Sequence, residues 1–269
     1  MALDERSGHS VLLQMNSGAP HSDGPPPSAG RPEVSLAPGA LDRDRRLAAT
    51  FGLKLATTRE ISSWQFVRSA GTLELCAPDH EGGYRVTNDV SQGAMARRLR
   101  TARRTDPLPR AVGLHRPGTP PDVVDATAGL GRDALVLATL GCDVIALERI
   151  PALAFLLRCA ADDCGDLPLQ VVCADAQAWL AAPPRRPTVV YLDPMFEEQG
   201  KAQVKKEMQA CRALAGGGDD PAALLAAARA VAAERVVVKR HPQLPPLADG
   251  VAHSVHGERV RFDVYLAGS

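Results

Sequence analysis

Between Val123 and Asp133 the chain reads VVDATAGLGRD, an order of residues that few local folds accommodate. A short apolar run ends in the acid Asp125, and small residues with two glycines, Gly129 and Gly131, follow. The apolar-periodic run Ala134, Leu135, Leu137, Ala138 and Leu140 then begins. This pattern predicts a strand, a tight glycine turn and a helix. Lacking a Cβ, the glycines let the backbone turn at positive φ and let a ligand approach the main chain closely. Such turns also arise for packing alone. Their usual ligand is a nucleotide-containing cofactor near a helix N-terminus, at the carboxyl end of a sheet.

Beyond Asp122 the same alternation repeats. Strands are predicted at Val123–Asp125, Asp143–Leu147, Leu169–Cys173, Thr188–Leu192 and Arg235–Lys239. Helices are predicted at Arg132–Leu140, Pro151–Cys164, Ala176–Ala181, Ala202–Leu214 and Pro221–Ala233. Near-continuous apolar strands such as VVYL and VVVK fit a mostly parallel α/β sheet covered on both faces. Val251–Ala267 carries two alternating runs about Gly257 and predicts a C-terminal antiparallel hairpin.

The first 40 residues are rich in Pro, Gly, Ser and Ala and have little to bury, which predicts a disordered tail. Residues 41–90 predict a small N-terminal α+β subdomain, with a helix at Leu41–Phe51 and strands at Trp64–Arg68, Thr72–Cys76 and Tyr84–Thr87. Residues 91–121 predict a loop, a short basic helix and then a proline-punctuated linker, leaving 122–269 as the main domain.

Charge enters through its distribution. Lys plus Arg equals Asp plus Glu at 31 each, so net charge gives no sign of a polyanionic partner. From Arg85 to Arg116, however, eight arginines stand against two aspartates. A solvated face is the ordinary explanation for such a run, but its place just before the glycine turn favours phosphate contact. Arg97, Arg98, Arg100, Arg103 and Arg104 are the candidates there. Lys205, Lys239 and Arg240 are further candidates near the same rim. No apolar run reaches the roughly 18 residues of a membrane span, and Val11–Met15 is too short for a signal-peptide core. A cytoplasmic protein is the expectation. The six cysteines form no CxxC or Cys/His cluster, so reduced thiols and no metal are expected.

Three acids follow successive predicted strands. Glu148 lies 23 residues after Asp125, where a carboxylate can accept hydrogen bonds from vicinal ribose hydroxyls, though a βα loop often carries a surface acid. Asp175 could bond the amine of an adenine, and it is also an ordinary helix N-cap. Asp193 opens Asp193-Pro194-Met195-Phe196 after the fourth strand. An exocyclic amine on a base is a poor nucleophile because its lone pair is delocalised into the ring. It needs acceptors on its N–H bonds and an aromatic surface against the base plane. Asp193 and the Pro194 carbonyl supply the acceptors, and Phe196 the surface.

Taken together, DATAGLGRD, the Glu148-Arg149 pair, VVYLDPMF, VKKEM, RVVVKR and RFDVY resemble the ribosomal RNA small subunit methyltransferase J family over roughly Gly93–Leu266. The resemblance implies a class I, Rossmann-like methyltransferase fold with an N-terminal subdomain. It also implies S-adenosylmethionine (SAM) as cofactor, and methylation of the exocyclic N2 of a guanosine in 16S rRNA or the small ribosomal subunit. Cofactor contacts would then fall on Asp125, Gly129, Gly131, Arg132, Asp133, Glu148, Arg149, Asp175, Ala176 and Asp193. The catalytic corner would be Asp193, Pro194 and Phe196. The chain departs from the family pattern at Glu197, where the family has proline, at Asp175-Ala176, where it has two serines, and in its arginine-rich segment.

Two rivals remain at this point. A nicotinamide oxidoreductase would require GxGxxG, which Ala134 breaks, and a non-catalytic RNA-binding assembly protein would leave Asp193-Pro194 without a task.

Overall fold

The structure is a computed structural model of the chain. It describes residues 32–59, 62–69, 71–83, 85–194, 213–214 and 220–267. The expected helix at Ala202–Leu214 lies outside the described residues except for its last two, which are helical.

The N-terminal unit contains β1 (Val34–Leu36), α1 (Asp42–Thr50), β2 (Lys54–Leu55), β3 (Trp64–Ser69), β4 (Thr72–Cys76) and β5 (Arg85–Thr87). Its sheet runs β2-β1-β3-β4-β5, with β1 parallel to both neighbours and β3-β4-β5 antiparallel. One correction follows: the stretch expected to be a tail through residue 40 ends in a strand. Leu36 is fully buried, because an apolar residue two positions from Val34 faces the same side of a strand and covers the subdomain core. Across that core the rings of Phe66 and Phe155 meet edge to face, with centroids 4.8 Å apart. This contact seats the small sheet on the main domain. Asp44, almost wholly buried, accepts from Nε and Nη2 of Arg68 at 2.9 Å each. Losing one member of such a pair typically costs about 3–5 kcal/mol, because the other is left buried and uncompensated.

The expected linker is a second correction. It folds into α2 (Gly93–Thr101) and α3 (Pro107–Ala111), and Leu108, Ala111, Val112 and Leu114 enter the main core. Proline does not break α3, because Pro107 and Pro109 occupy the first turn, where backbone N–H groups have no intrahelical partner anyway.

The main domain then alternates β6 (Asp122–Asp125), α4 (Arg132–Thr139), β7 (Asp143–Leu147), α5 (Pro151–Asp163), β8 (Leu169–Val172), α6 (Ala176–Ala181), β9 (Val189–Leu192), α7 (Pro221–Val231) and β10 (Arg235–Arg240). The hairpin β11 (His253–His256) and β12 (Arg261–Leu266) ends it. The strand order is β11-β12-β10-β9-β6-β7-β8, parallel except where β12 runs antiparallel to β10 and β11. These elements match the expected boundaries to within one or two residues.

Both faces are covered, which explains the unbroken apolar strands. Val123, Val189, Tyr191 and Val237 pack toward α4, whereas Val124, Val190, Leu192, Val236 and Val238 pack toward α6 and α7. Since successive side chains point to opposite faces, every second residue of β6, β9 and β10 points toward α4. The next positions along that face, at the carboxyl ends of the strands, are Asp125, Asp193 and Lys239.

Candidate active site

The strand order reverses between β6 and β9, so their carboxyl ends flank the crevice where an open α/β sheet binds ligands. Hydrogen bonds tie the two strand ends together. Ala126 N donates to Tyr191 O at 3.0 Å, and Asp193 N donates to Thr127 Oγ1 at 2.6 Å. Thr127 N in turn donates to Asp125 Oδ1 at 3.1 Å. The glycine turn and the aspartate-proline corner therefore share one rim.

The two glycines have different reasons for being there. Both have positive φ, +54° at Gly129 and +68° at Gly131. A Cβ on Gly131 would lie 2.0 Å from Leu157 Cδ1, so this residue is glycine because α5 packs against it. Around Gly129 no atom of the described residues lies within 4 Å of such a Cβ, and its N–H donates to Glu148 Oε2 at 2.9 Å. Of the two, Gly129 alone has open space for a ligand.

Glu148 is buried, and its other oxygen accepts from Ile150 N at 2.7 Å. The expected ribose acceptor thus also braces the glycine turn, through Gly129 N on one oxygen and Ile150 N on the other. Asp175 is exposed and caps α6 by accepting from Ala178 N at 2.9 Å. Ala176 opens α6, Arg132 opens α4 and Arg149 follows Glu148, all three half-buried. Asn88, which sequence reading passed over, is buried and donates to Leu130 O at 2.7 Å, tying the N-terminal segment to the turn.

The densest chemistry is a cluster on the α4 face. Asp133 Oδ2 accepts from Tyr191 Oη at 2.6 Å and from Lys239 Nζ at 3.0 Å, while its Oδ1 accepts from Arg98 Nη2. Lys239 Nζ also donates to Asp193 Oδ2 at 2.8 Å. Burial works against the Asp133 carboxylate, yet Lys239, Arg98 and Tyr191 together hold it well below the usual carboxylate range. Burial likewise opposes the Lys239 ammonium, and the two carboxylates outweigh it and raise its pKa. The Asp193 carboxyl is raised by desolvation and by Asp133, with Lys239 opposing. Burial, with Asp133 and Asp193 nearby, pushes Asp125 well above the usual range even though it accepts from Thr127 N. The same two causes, burial and Asp133, push the Tyr191 phenol up.

Several expected assignments change. Lys239, expected as an RNA contact on the rim, donates instead to two carboxylates, Asp133 and Asp193. Arg240 points to the other face and is buried, with Nε and Nη2 donating to Pro245 O at 3.1 and 2.6 Å. Arg98 is committed to Asp133. Asp133 is wrapped by side chains, so its carboxylate braces the site from within. Arg97, Arg100, Arg103 and Arg104 remain exposed, Arg104 with one bond to Leu140 O at 3.4 Å. Pro194 is buried beside Asp193, whereas Phe196 and Lys205 lie outside the described residues. Among the described residues, no group of three or more His, Cys, Asp or Glu could hold a metal ion. No helix there is long and apolar enough to cross a membrane.

Comparison with known proteins adds the following. Residues 46–267 match the family model "Putative SAM-dependent methyltransferase". The ribosomal RNA small subunit methyltransferase J of Thioalkalivibrio sulfidiphilus is 45% identical over 212 residues, covering 73% of this chain and 81% of that protein. The protein of the same name from Laribacter hongkongensis is 42% identical over 247 residues, covering 87% and 84%. A crystal structure of a SAM-dependent methyltransferase from Neisseria gonorrhoeae superposes with a TM-score of 0.68 at 30% identity, covering 88% of this chain and 96% of that one.

Proposed function

The chain belongs to the ribosomal RNA small subunit methyltransferase J family of SAM-dependent enzymes, and from that premise we propose that it methylates the exocyclic N2 of a guanosine in 16S rRNA at the β6–β9 rim. It is a SAM-dependent rRNA methyltransferase of class I fold.

The residues at the rim suit SAM. Open space at Gly129 admits a ligand to the main chain. Glu148 and Asp175 offer acceptors for hydroxyl and amino groups, and the carboxylates of Asp125 and Asp193 complement a sulfonium cation. When bound, SAM would supply an electrophilic methyl group, the S–CH3 bond breaking with its electron pair returning to sulfur so that a neutral thioether leaves. Arg132, Arg149 and Ala176 line the same arc of strand ends.

The chain's own part is orientation. Asp193 accepts one N–H of the guanine amine and the Pro194 carbonyl accepts the other, turning the nitrogen lone pair toward the methyl carbon. As the bond forms, the nitrogen becomes positive and the Asp193 carboxylate stabilises it. The surplus proton then leaves to Asp193 or water. Phe196, two positions past Pro194, is the candidate aromatic surface for the base plane. A base within folded RNA is splayed out to reach such a pocket. The exposed Arg97, Arg100, Arg103 and Arg104 contact phosphate, and action on ribosomal RNA implies a cytoplasmic enzyme.

One observation carries this reading: Asp193 and the glycine turn are joined at the rim by the 2.6 Å bond between Asp193 N and Thr127 Oγ1. The test is to map methylated guanosines in 16S rRNA from cells with and without the protein. Purified protein is also supplied with labelled SAM and either free 16S rRNA or small subunits. Loss of one N2-methylguanosine on deletion, restored by the protein in vitro, is the expected result. SAM binding with no transfer to either RNA would favour a role in assembly instead.

A further inference from the structure

Lys239 stands opposite Asp193 because β10 and β9 pair in register, Val237 with Tyr191 and Val238 with Leu192. Its ammonium bridges two carboxylates that come from different elements. On one side is Asp133 of α4, already fixed by the Tyr191 hydroxyl and the Arg98 guanidinium. On the other is Asp193, whose Oδ2 takes Lys239 at 2.8 Å and whose Oδ1 has no hydrogen-bond partner among the described residues. We propose that Lys239 is a positioning residue for methyl transfer: anchored on Asp133, it fixes the Asp193 carboxylate by one oxygen and leaves the other as an oriented acceptor for the target amine.

This inference rests on the assignment of Asp193 as the group that orients that amine. The chemistry explains why a lysine is useful there. A carboxylate in a desolvated cleft beside other acids tends to take up a proton, and a carboxylic acid donates where the amine needs an acceptor. Among the described residues, the groups facing Asp193 are Asp125 from β6, Asp133 from α4, Arg98 from α2, Tyr191 from β9 and Lys239 from β10. Of the two cations, Arg98 bonds Asp133, and Lys239 bonds Asp193 itself. A long, flexible side chain would place an acceptor poorly if it were tethered only there. The anchor on Asp133, held by two further donors, removes that freedom.

A test independent of the RNA target follows the Asp193 carboxyl carbon by NMR in protein labelled with 13C-aspartate, identified by its loss in D193N. In K239M the titration midpoint of Asp193 rises by about one pH unit or more, and in K239R it stays near the wild-type value. Asp133 keeps Arg98 and Tyr191 in K239M, so the fold persists, which circular dichroism checks. Should K239M not fold, K239Q is titrated in its place. In the transfer assay kcat of K239M falls at least about tenfold at neutral pH, with KM for SAM within about twofold, and K239R recovers most of kcat. An Asp193 midpoint in K239M equal to the wild-type midpoint would overturn the proposal. A wild-type protein that transfers no methyl group to 16S rRNA would overturn the proposed function, while the titration would still report whether Lys239 holds the Asp193 carboxylate in its ionised form.

Discussion

The main-chain N–H of Asp193 donates to the side-chain oxygen of Thr127 at 2.6 Å, so the corner after β9 hangs from the turn after β6. Thr127→Val keeps the shape and removes the acceptor, leaving a half-buried N–H unpaired at a cost of about 1–3 kcal/mol. The expected outcome is a lower denaturant midpoint and a kcat reduced more than the KM for SAM. Thr127→Ser should recover both. Unfolding curves and steady-state transfer rates on the three proteins check this.

The two glycines of the turn should respond differently to alanine. Gly131→Ala meets Leu157 at 2.0 Å in addition to the left-handed backbone penalty, for a combined loss of about 2–4 kcal/mol. Gly129→Ala faces empty space and loses only the backbone part, about 1–2 kcal/mol. Its methyl group would enter the space assigned to SAM, so calorimetry should find weaker SAM binding in a protein that is still folded.

Asp125 supplies a pH signature. Burial raises its pKa in the fold, so its protonated form is favoured there. The group therefore supports the folded state below the ordinary carboxylate range, and that support is lost as pH rises through the raised value. Asp125→Asn keeps an oxygen for Thr127 N and carries no charge. It should be more stable than wild type at neutral pH, with the advantage shrinking as pH falls toward the ordinary carboxylate range. SAM affinity should drop if the carboxylate complements the sulfonium. Thermal unfolding as a function of pH, paired with SAM titration, reads both effects.

Asp133 has the opposite sign. Its folded-state pKa is depressed, so its contribution to stability is present at neutral pH and is lost as pH falls below the ordinary carboxylate range. Tyr191→Phe removes one donor from this buried charge and should cost about 1.5–3 kcal/mol at neutral pH. The deficit should be smaller in acid, as chemical denaturation at the two pH values would reveal.

The arginines of α2 should separate into two kinds. Replacing Arg97 and Arg100 with Gln removes up to two phosphate contacts, which lowers the slope of log binding constant against log salt by about 1–2 while leaving stability nearly unchanged. Arg98→Gln should lower stability, because Asp133 loses a partner. RNA binding at several salt concentrations, with melting temperatures alongside, distinguishes them.

Much of this architecture is written locally in the chain. The apolar runs of β6, β7, β9 and β10 declare a sheet covered on both faces, and the glycine turn, Glu148, Asp175 and Asp193 each declare the end of a strand. Where reading by segment failed, the missing information was a packing partner. Val34 and Leu36 looked like the end of a tail until the core of the N-terminal sheet was there to receive them. Pro107 and Pro109 looked like linker punctuation, although in a first helical turn they break no hydrogen bond. Lys239 and Arg240 looked like one basic pair, yet alternation along β10 sends one into the cleft and buries the other on the opposite face.

By itself, then, the sequence determined the order of elements, the class of fold and the corner that carries Asp193, because hydrophobic period, turn chemistry and strand-end acids act over a few residues. Only the tertiary structure decided which charges meet. Lys239 lies 46 residues from Asp193 and 106 from Asp133 along the chain. What joins them is the register of β9 against β10 and the seating of α4 over the sheet. Register is a property of paired strands, and no single segment contains it.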